Sequence, residues 1–133
     1  MFGMRSKTQF DSKSVLRKVH EGTVRSLGHA AALVRKIAKQ SIRFRKDPQK
    51  ASPEGTPPYT HTRQLPRAIL FAVQKQQEEA VIGPDAGKVD LAGAAHEHGG
   101  QFRGQYFVRR PFMGPALEKT KSRLPKMWAG SVR

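Results

Sequence analysis

The sequence predicts an α+β fold, a long N-terminal amphipathic helix packed on a small antiparallel sheet, with one or two short C-terminal helices. Two patterns and a break between them carry this. Leu16, Val19, Thr23, Leu27, Ala30, Val34, Ile37 and Ser41 recur at three- and four-residue steps, the period of one helix face. Ala68 to Gln74 alternates instead, with Ile69, Phe71 and Val73 on one side and Leu70 and Ala72 on the other. Ala80 to Gly83 can pair back on it across a polar turn at Gln76 to Glu79. Between the two patterns lie Pro48, Pro53, Pro57 and Pro58, which no helix continues through.

Taken in order, residues 1–10 form a basic N-terminal arm, with Phe2 and Phe10 as anchors for a neighbour. Residues 11–126 form a single α+β domain, and residues 127–133 a short strand or extended tail. The long helix runs from Asp11 to Arg45, with Asp11, Ser12 or Ser14 as its N-cap and Asp47-Pro48 as its stop. At roughly 100° per residue, Lys18, Arg25, Lys36 and Arg43 fall together nearly opposite the apolar face, flanked by Lys39 and Lys46. Gly22 and Gly28 weaken a helix interior, so either another backbone approaches there or the helix bends. Residues 46–61 form a long Pro-rich loop. A third strand at about Gln105 to Arg109 completes the sheet, ended by Pro111. Trp128, the single tryptophan, is expected in the core or as an intersubunit anchor.

The most punctuated stretch runs from Ala94 to Thr120. Leu91 to His98 reads as a short helix closed by Gly99-Gly100, since glycine reaches the left-handed conformation that ends a helix. Pro115 suits the first position of a second helix, with Glu118 in its first turn. In this stretch His96-Glu97-His98-Gly99-Gly100 resembles a His-Glu-aromatic-Gly-Gly motif. Arg110-Pro111-Phe112-Met113-Gly114-Pro115-Ala116-Leu117-Glu118 resembles Arg-Pro-Phe-Met-x-Pro-Ala-Leu-Glu. Upstream, Gly55-Thr56-Pro57-Pro58 and Thr62-Arg63-Gln64-Leu65 resemble Gly-x-Pro-Pro and Thr-Gly-x-Leu. The motifs, in this order and spacing over roughly Gly55 to Thr120, are similar to those of the head-tail joining, neck and tail-completion proteins of long-tailed double-stranded DNA phages. That family includes proteins labelled minor tail component or virion morphogenesis protein. His98 stands where the family has an aromatic residue. Arg63 stands where it often has glycine, which implies a turn with no need of a positive φ.

Composition is compatible with that resemblance. At 133 residues the chain makes one modest core, and 37% hydrophobic content leaves much of it for surface or subunit contact. It has no cysteine, which removes disulfides, thiolate metal sites and cysteine nucleophiles together. The start has no signal-peptide core and the longest apolar run, Ala68 to Val73, is far short of a membrane span, so a soluble chain made in the cytoplasm, with no membrane partner, is expected. Net charge is +15; residues 1–50 hold 13 basic side chains against 3 acidic, so the N-terminal part is the basic face. An anionic partner is expected, the alternative being a solvated basic surface or an acidic neighbouring subunit.

No nucleophile elbow, phosphate-binding glycine loop or zincin motif is present, and no catalytic residue is assigned. His96 and His98, two apart, face away from each other on a helix, so they are read as structural, with His96 and Glu97 bonding backbone at the turn, and no metal or other cofactor is expected. The alternative is an extended segment on which both hold a metal for hydrolysis, with further ligands from His20, His29, His61 or carboxylates. The resemblance implies a non-enzymatic virion protein forming a ring of six copies, or twelve, at the head-tail junction or top of the tail. Its neighbours would be head-completion or connector proteins and tail-tube or tail-terminator proteins, with non-specific contact to phage DNA. Lys18, Arg25, Lys36, Lys39, Arg43 and Lys46 would face DNA or an acidic ring surface. Arg109, Arg110, Phe112 and Met113 would fix the strand-to-helix corner or line a subunit interface. The competing expectation is a free basic protein gripping the phosphate backbone of nucleic acid.

Overall fold

The computed structural model describes residues 11–132, so the expected arm at residues 1–10 lies outside the described residues. The chain is α+β, organised along one rod. Helix α1 (Ser12–Ser41) begins where Asp11 accepts a hydrogen bond from the Ser14 N–H at 3.2 Å, which satisfies one of the donors a helix start leaves open. It ends at Ser41 rather than Arg45. The Ser41 hydroxyl donates to the Ala38 carbonyl at 2.6 Å, and Ile42 leaves the helix to enter the core. The following residues are taken by strand pairing: β1 (Arg43–Phe44) runs parallel to β2 (Tyr59–Thr60), and the Arg45 N–H donates to the Thr60 carbonyl at 2.9 Å. That short parallel pair closes the Pro-rich loop of residues 46–61 at its base.

After α2 (Gln64–Ala68) comes the predicted hairpin. β3 (Ile69–Gln74) pairs antiparallel with β4 (Glu79–Pro84) around a turn at Lys75 to Glu78. It lies along α1. At one end the Arg35 guanidinium donates to the Ile69 carbonyl at 2.7 Å, and at the turn His20 meets Glu78 at 2.8 Å. Two short helices, α3 (Ala86–Val89) and α4 (Ala92–His98), lead to a second hairpin, β5 (Gly100–Phe102) with β6 (Gln105–Phe107). Among the described residues the strands therefore form three separate pairs, not one three-stranded sheet. β3 and β4 are held on α1, whereas the segments either side of the second hairpin are joined to each other, the Arg110 N–H donating to the His96 carbonyl at 2.7 Å.

Helix α5 (Met113–Thr120) packs on α1, and between them lies the core of Val34, Ala38, Ile42, Leu65, Ile69, Phe112 and Ala116. Pro115 is the third residue of α5, not the first, and Glu118 lies beyond the first turn. The displacement is harmless, since none of the first residues of a helix has an intrahelical use for its N–H.

The C-terminal segment is not an extended tail. It makes a 3-10 turn (Pro125–Trp128) that crosses α1, where the Ser26 hydroxyl donates to the Met127 carbonyl at 2.9 Å. Gly22 permits the crossing: a Cβ there would sit 2.6 Å from the Ser131 carbonyl oxygen. Gly28 has nothing within 4 Å, so close approach, expected at both glycines, occurs only at the first. Trp128 is half-buried on this turn.

Phe112 is the largest fully buried side chain. Phe112→Ala should lower unfolding free energy by about 3–5 kcal/mol in urea denaturation, whereas Leu117→Ala on the exposed side of α5 should cost about 0.5 kcal/mol or less.

Candidate functional site

The three motif segments converge on one corner. Glu97, on α4, reaches across to the start of α5: one carboxylate oxygen accepts the N–H groups of Phe112 and Met113, each at 2.9 Å, and the other accepts that of Gly114 at 2.9 Å. These are donors that a helix start leaves without intrahelical partners, and here a carboxylate from a different helix takes three of them. The Arg110 N–H donates to the His96 carbonyl at 2.7 Å, and its guanidinium donates to the Ser52 carbonyl at 2.8 Å. The Gly55 N–H donates to the Arg109 carbonyl at 2.9 Å, while Pro58 and Pro111 are buried nearby. Met113 packs against the core and Pro115 is half-buried.

Gly99 is required at the centre of this arrangement. It ends α4 at φ 66°, and a Cβ there would lie 3.0 Å from both the backbone nitrogen and the Cβ of Arg109. Gly100 follows at φ 95°. Arg63 also adopts a left-handed conformation, φ 62°, against the expectation from its replacing glycine. The Thr60 hydroxyl stabilises that turn by accepting the Arg63 N–H at 2.9 Å, and the guanidinium lies 4.0 Å from the centre of the Phe44 ring.

The charges of the corner follow from its geometry. Burial acts most strongly on Glu97 and pushes its pKa up, but the three backbone hydrogen bonds and the neighbouring His98 outweigh it, so the carboxyl titrates below its ordinary value. His96 moves the same way for another reason: burial first, then the Arg110 charge, disfavour its protonated form. Its Nδ1 is buried without a hydrogen-bond partner; the backbone bonding expected of His96 comes from its carbonyl, not its ring. His98 is exposed. Among the described residues no three His, Cys, Asp or Glu side chains are grouped to hold a metal ion.

The basic face is separate from the corner. Lys18, Arg25 and Lys36 are exposed along α1, and Lys39 is half-buried in its last turn. Arg43 is exposed on β1 and Lys46 in the loop, so those two extend the stripe beyond the helix instead of lying on it. Arg25 is partly engaged, donating to the Ser131 carbonyl at 2.8 Å. Among the described residues the ion pairs are His20 with Glu78 and Arg103 with Asp90, so none of the six stripe cations has a carboxylate partner. Lys18 and Lys36 are about 27 Å apart along the helix. Where the stripe ends, Arg43 and Lys119 line a cavity of about 470 Å³ with Gln40, Tyr59, Pro53 and Pro57. No helix among the described residues is long and apolar enough to cross a membrane.

Glu97, expected to bond backbone at its own turn, instead caps a helix fifteen residues on. The signal was there: α5 has no Ser, Thr, Asp or Asn at its start, so its cap had to come from elsewhere. Ser52 and the Lys119 side of the cavity carried no local pattern at all. Comparison with protein-family models, with curated proteins and with solved structures gives no match to this chain.

Glu97→Gln should destabilise the protein by roughly 1–3 kcal/mol at pH 7. Because the folded carboxyl titrates below its unfolded value, its contribution is complete above the ordinary pKa of 4.5 and is lost as pH falls through the folded value. Denaturation curves of wild type and Glu97→Gln should therefore converge as pH drops below 4.5.

Proposed function

We propose that this chain is a non-enzymatic structural subunit of the phage virion, a neck or tail-completion protein that forms a ring joining head to tail around the DNA channel. The observation that most supports the reading is the corner at Glu97. The segments on which the family resemblance rests, Gly55 to Pro58 with Thr62 to Leu65, His96 to Gly100 and Arg110 to Glu118, come together around it. Glu97 accepts the Phe112, Met113 and Gly114 N–H groups, and the Arg110 N–H donates to the His96 carbonyl. The Gly55 N–H donates to the adjoining Arg109 carbonyl, and Thr62 and Leu65 line a hollow with His96. Its residues are engaged in holding backbone, which suits a scaffold and leaves function to the surface. The unpaired stripe then supplies the second half of the reading, since a ring threaded by DNA meets phosphates and has no need to read bases. The ring would contain six copies, or twelve, and would contact a head-completion or connector protein on one side and a tail-tube or tail-terminator protein on the other.

Electron microscopy of purified virions tests this directly: a closed ring of this chain at the junction is the expected result, and its absence from virions overturns the reading. The double variant Lys36→Glu, Arg43→Glu should lower infectious particle yield at least tenfold while the isolated chain keeps its circular dichroism spectrum. Arg25 is left intact because it also holds the C-terminal segment.

A free nucleic-acid-binding protein is the second reading, favoured by the same unpaired stripe. It predicts binding as a monomer or dimer, with affinity falling steeply with salt. The stripe offers little for stacking on single strands: Phe44, the aromatic residue beside Arg43, already has the Arg63 guanidinium over its ring.

A further inference from the structure

Two apolar patches have no partner among the described residues, and they differ in charge. The first is the outer face of the β3–β4 hairpin. Ile69, Phe71 and Val73 share a face with Ala80, Ile82 and Pro84, whereas Leu70, Ala72, Val81 and Gly83 form the other, with the polar pair Gln74 and Glu79 at its turn end. Leu70 is 40% exposed and Val81 54% exposed. Among the described residues β3 and β4 pair only with each other, so each keeps an edge without a described strand beside it. An apolar ribbon of this kind, with no proline or charge within β3 to blunt its edge, is a surface that natural proteins cover. The hairpin carries Lys75, Glu78 and Glu79, a net of −1 in a chain of +15.

The second patch is the start of α1. The body of the protein packs on α1 from about Gly22 onward, and His20 already meets the hairpin turn. The preceding turns project beyond it with Val15 41%, Leu16 66% and Val19 42% exposed. These three lie on one side of the helix, with Lys13 and Lys18 flanking them.

We infer that the outer face of the β3–β4 hairpin in one copy receives the projecting start of α1 from a second copy, a head-to-tail contact. The apolar groups face each other, and the positive flanks of the helix meet Glu79 on that face, Glu78 being held by His20 of its own copy. Helix-on-helix pairing would instead set Lys13 and Lys18 against their own copies. Because the two patches are different surfaces, each copy keeps one of each free after pairing, and such contacts continue until they close a ring. The inference deepens the ring reading above and rests on it for its biological setting. The test uses the purified chain, so its failure leaves the virion location to be settled separately.

The experiment is mass measurement of purified protein by light scattering after size exclusion, on three forms. Wild type should be multimeric. A hairpin variant, Leu70→Lys with Val81→Lys, and a helix variant, Leu16→Lys with Val19→Lys, should each be monomeric with unchanged circular dichroism, since all four side chains are exposed. Mixed in equal amounts, the two variants should form a 1:1 dimer and stop there, because the intact hairpin of one meets the intact helix start of the other and no further pair of intact surfaces remains. Wild type that stays monomeric, variants that assemble as wild type does, or a helix variant that still dimerises alone through its hairpin each overturns the inference. Single substitutions Val81→Lys and Leu16→Lys serve if a double variant fails to fold, with the same mixing result expected.

Discussion

The arrangement depends on one carboxylate. Glu97 belongs to a helix of seven residues that buries little, and its three hydrogen bonds all leave that helix for the start of α5. In doing so it fixes where α5 begins, and therefore where Phe112 enters the core between α1 and α2. A carboxylate suits the task because it accepts from several donors at once and opposes the positive end of the helix dipole. The cost is partial burial of a charge, and the lowered pKa says that the hydrogen bonds and His98 more than offset it. The same corner ties Gly55 and Ser52 of the Pro-rich loop to Arg109 and Arg110, which gives a long loop with little secondary structure a fixed path.

Periodicity made α1 and the first hairpin legible in the sequence, because in both the side chains repeat with the backbone. The buried face of α1, however, runs through Gly22, Ser26, Ala30, Ala31, Val34 and Ala38 and shares only Ala30 and Val34 with the expected one, since close packing there selects small residues and leaves Leu16 and Val19 outside. The hairpin came within one residue at each inner end, and the division of its faces matched, since alternation is all that is needed to sort them. Element ends were less legible. α1 stopped at Ser41 because a serine hydroxyl and a neighbouring strand competed for its last turn, and the strand partner, Tyr59–Thr60, is fifteen or more residues away. The single sheet was wrong for a related reason: strand character says that a segment will pair, not with which segment. The C-terminal 3-10 turn was missed because its reason lies on α1, in the space left by Gly22 and the hydroxyl of Ser26.

Of the site, charge was easier to read than bonding. The six stripe cations follow from helical spacing, apart from the shift of Arg43 and Lys46 off the helix, and none has a carboxylate partner among the described residues. The motif residues were recognisable as a set, yet the roles inside the set were not. Which oxygen of Glu97 takes which N–H, or that the ring nitrogen of His96 lies buried and unbonded, depends on a three-dimensional juxtaposition that spacing does not encode.

The packing of α1 bears on how its stripe would bind. A hairpin on one side, and α5 with the C-terminal turn on others, hold the helix along most of its length, so Lys36 and Lys39 project from a backbone that is already ordered. Basic tails that fold on contact must lose about 1–2 kcal/mol of backbone conformational entropy for each residue they order. Here only side-chain rotamers remain to be restricted when an anionic surface arrives. Association through this face therefore keeps more of its electrostatic gain, and the spacing of its charges is set before any partner is met.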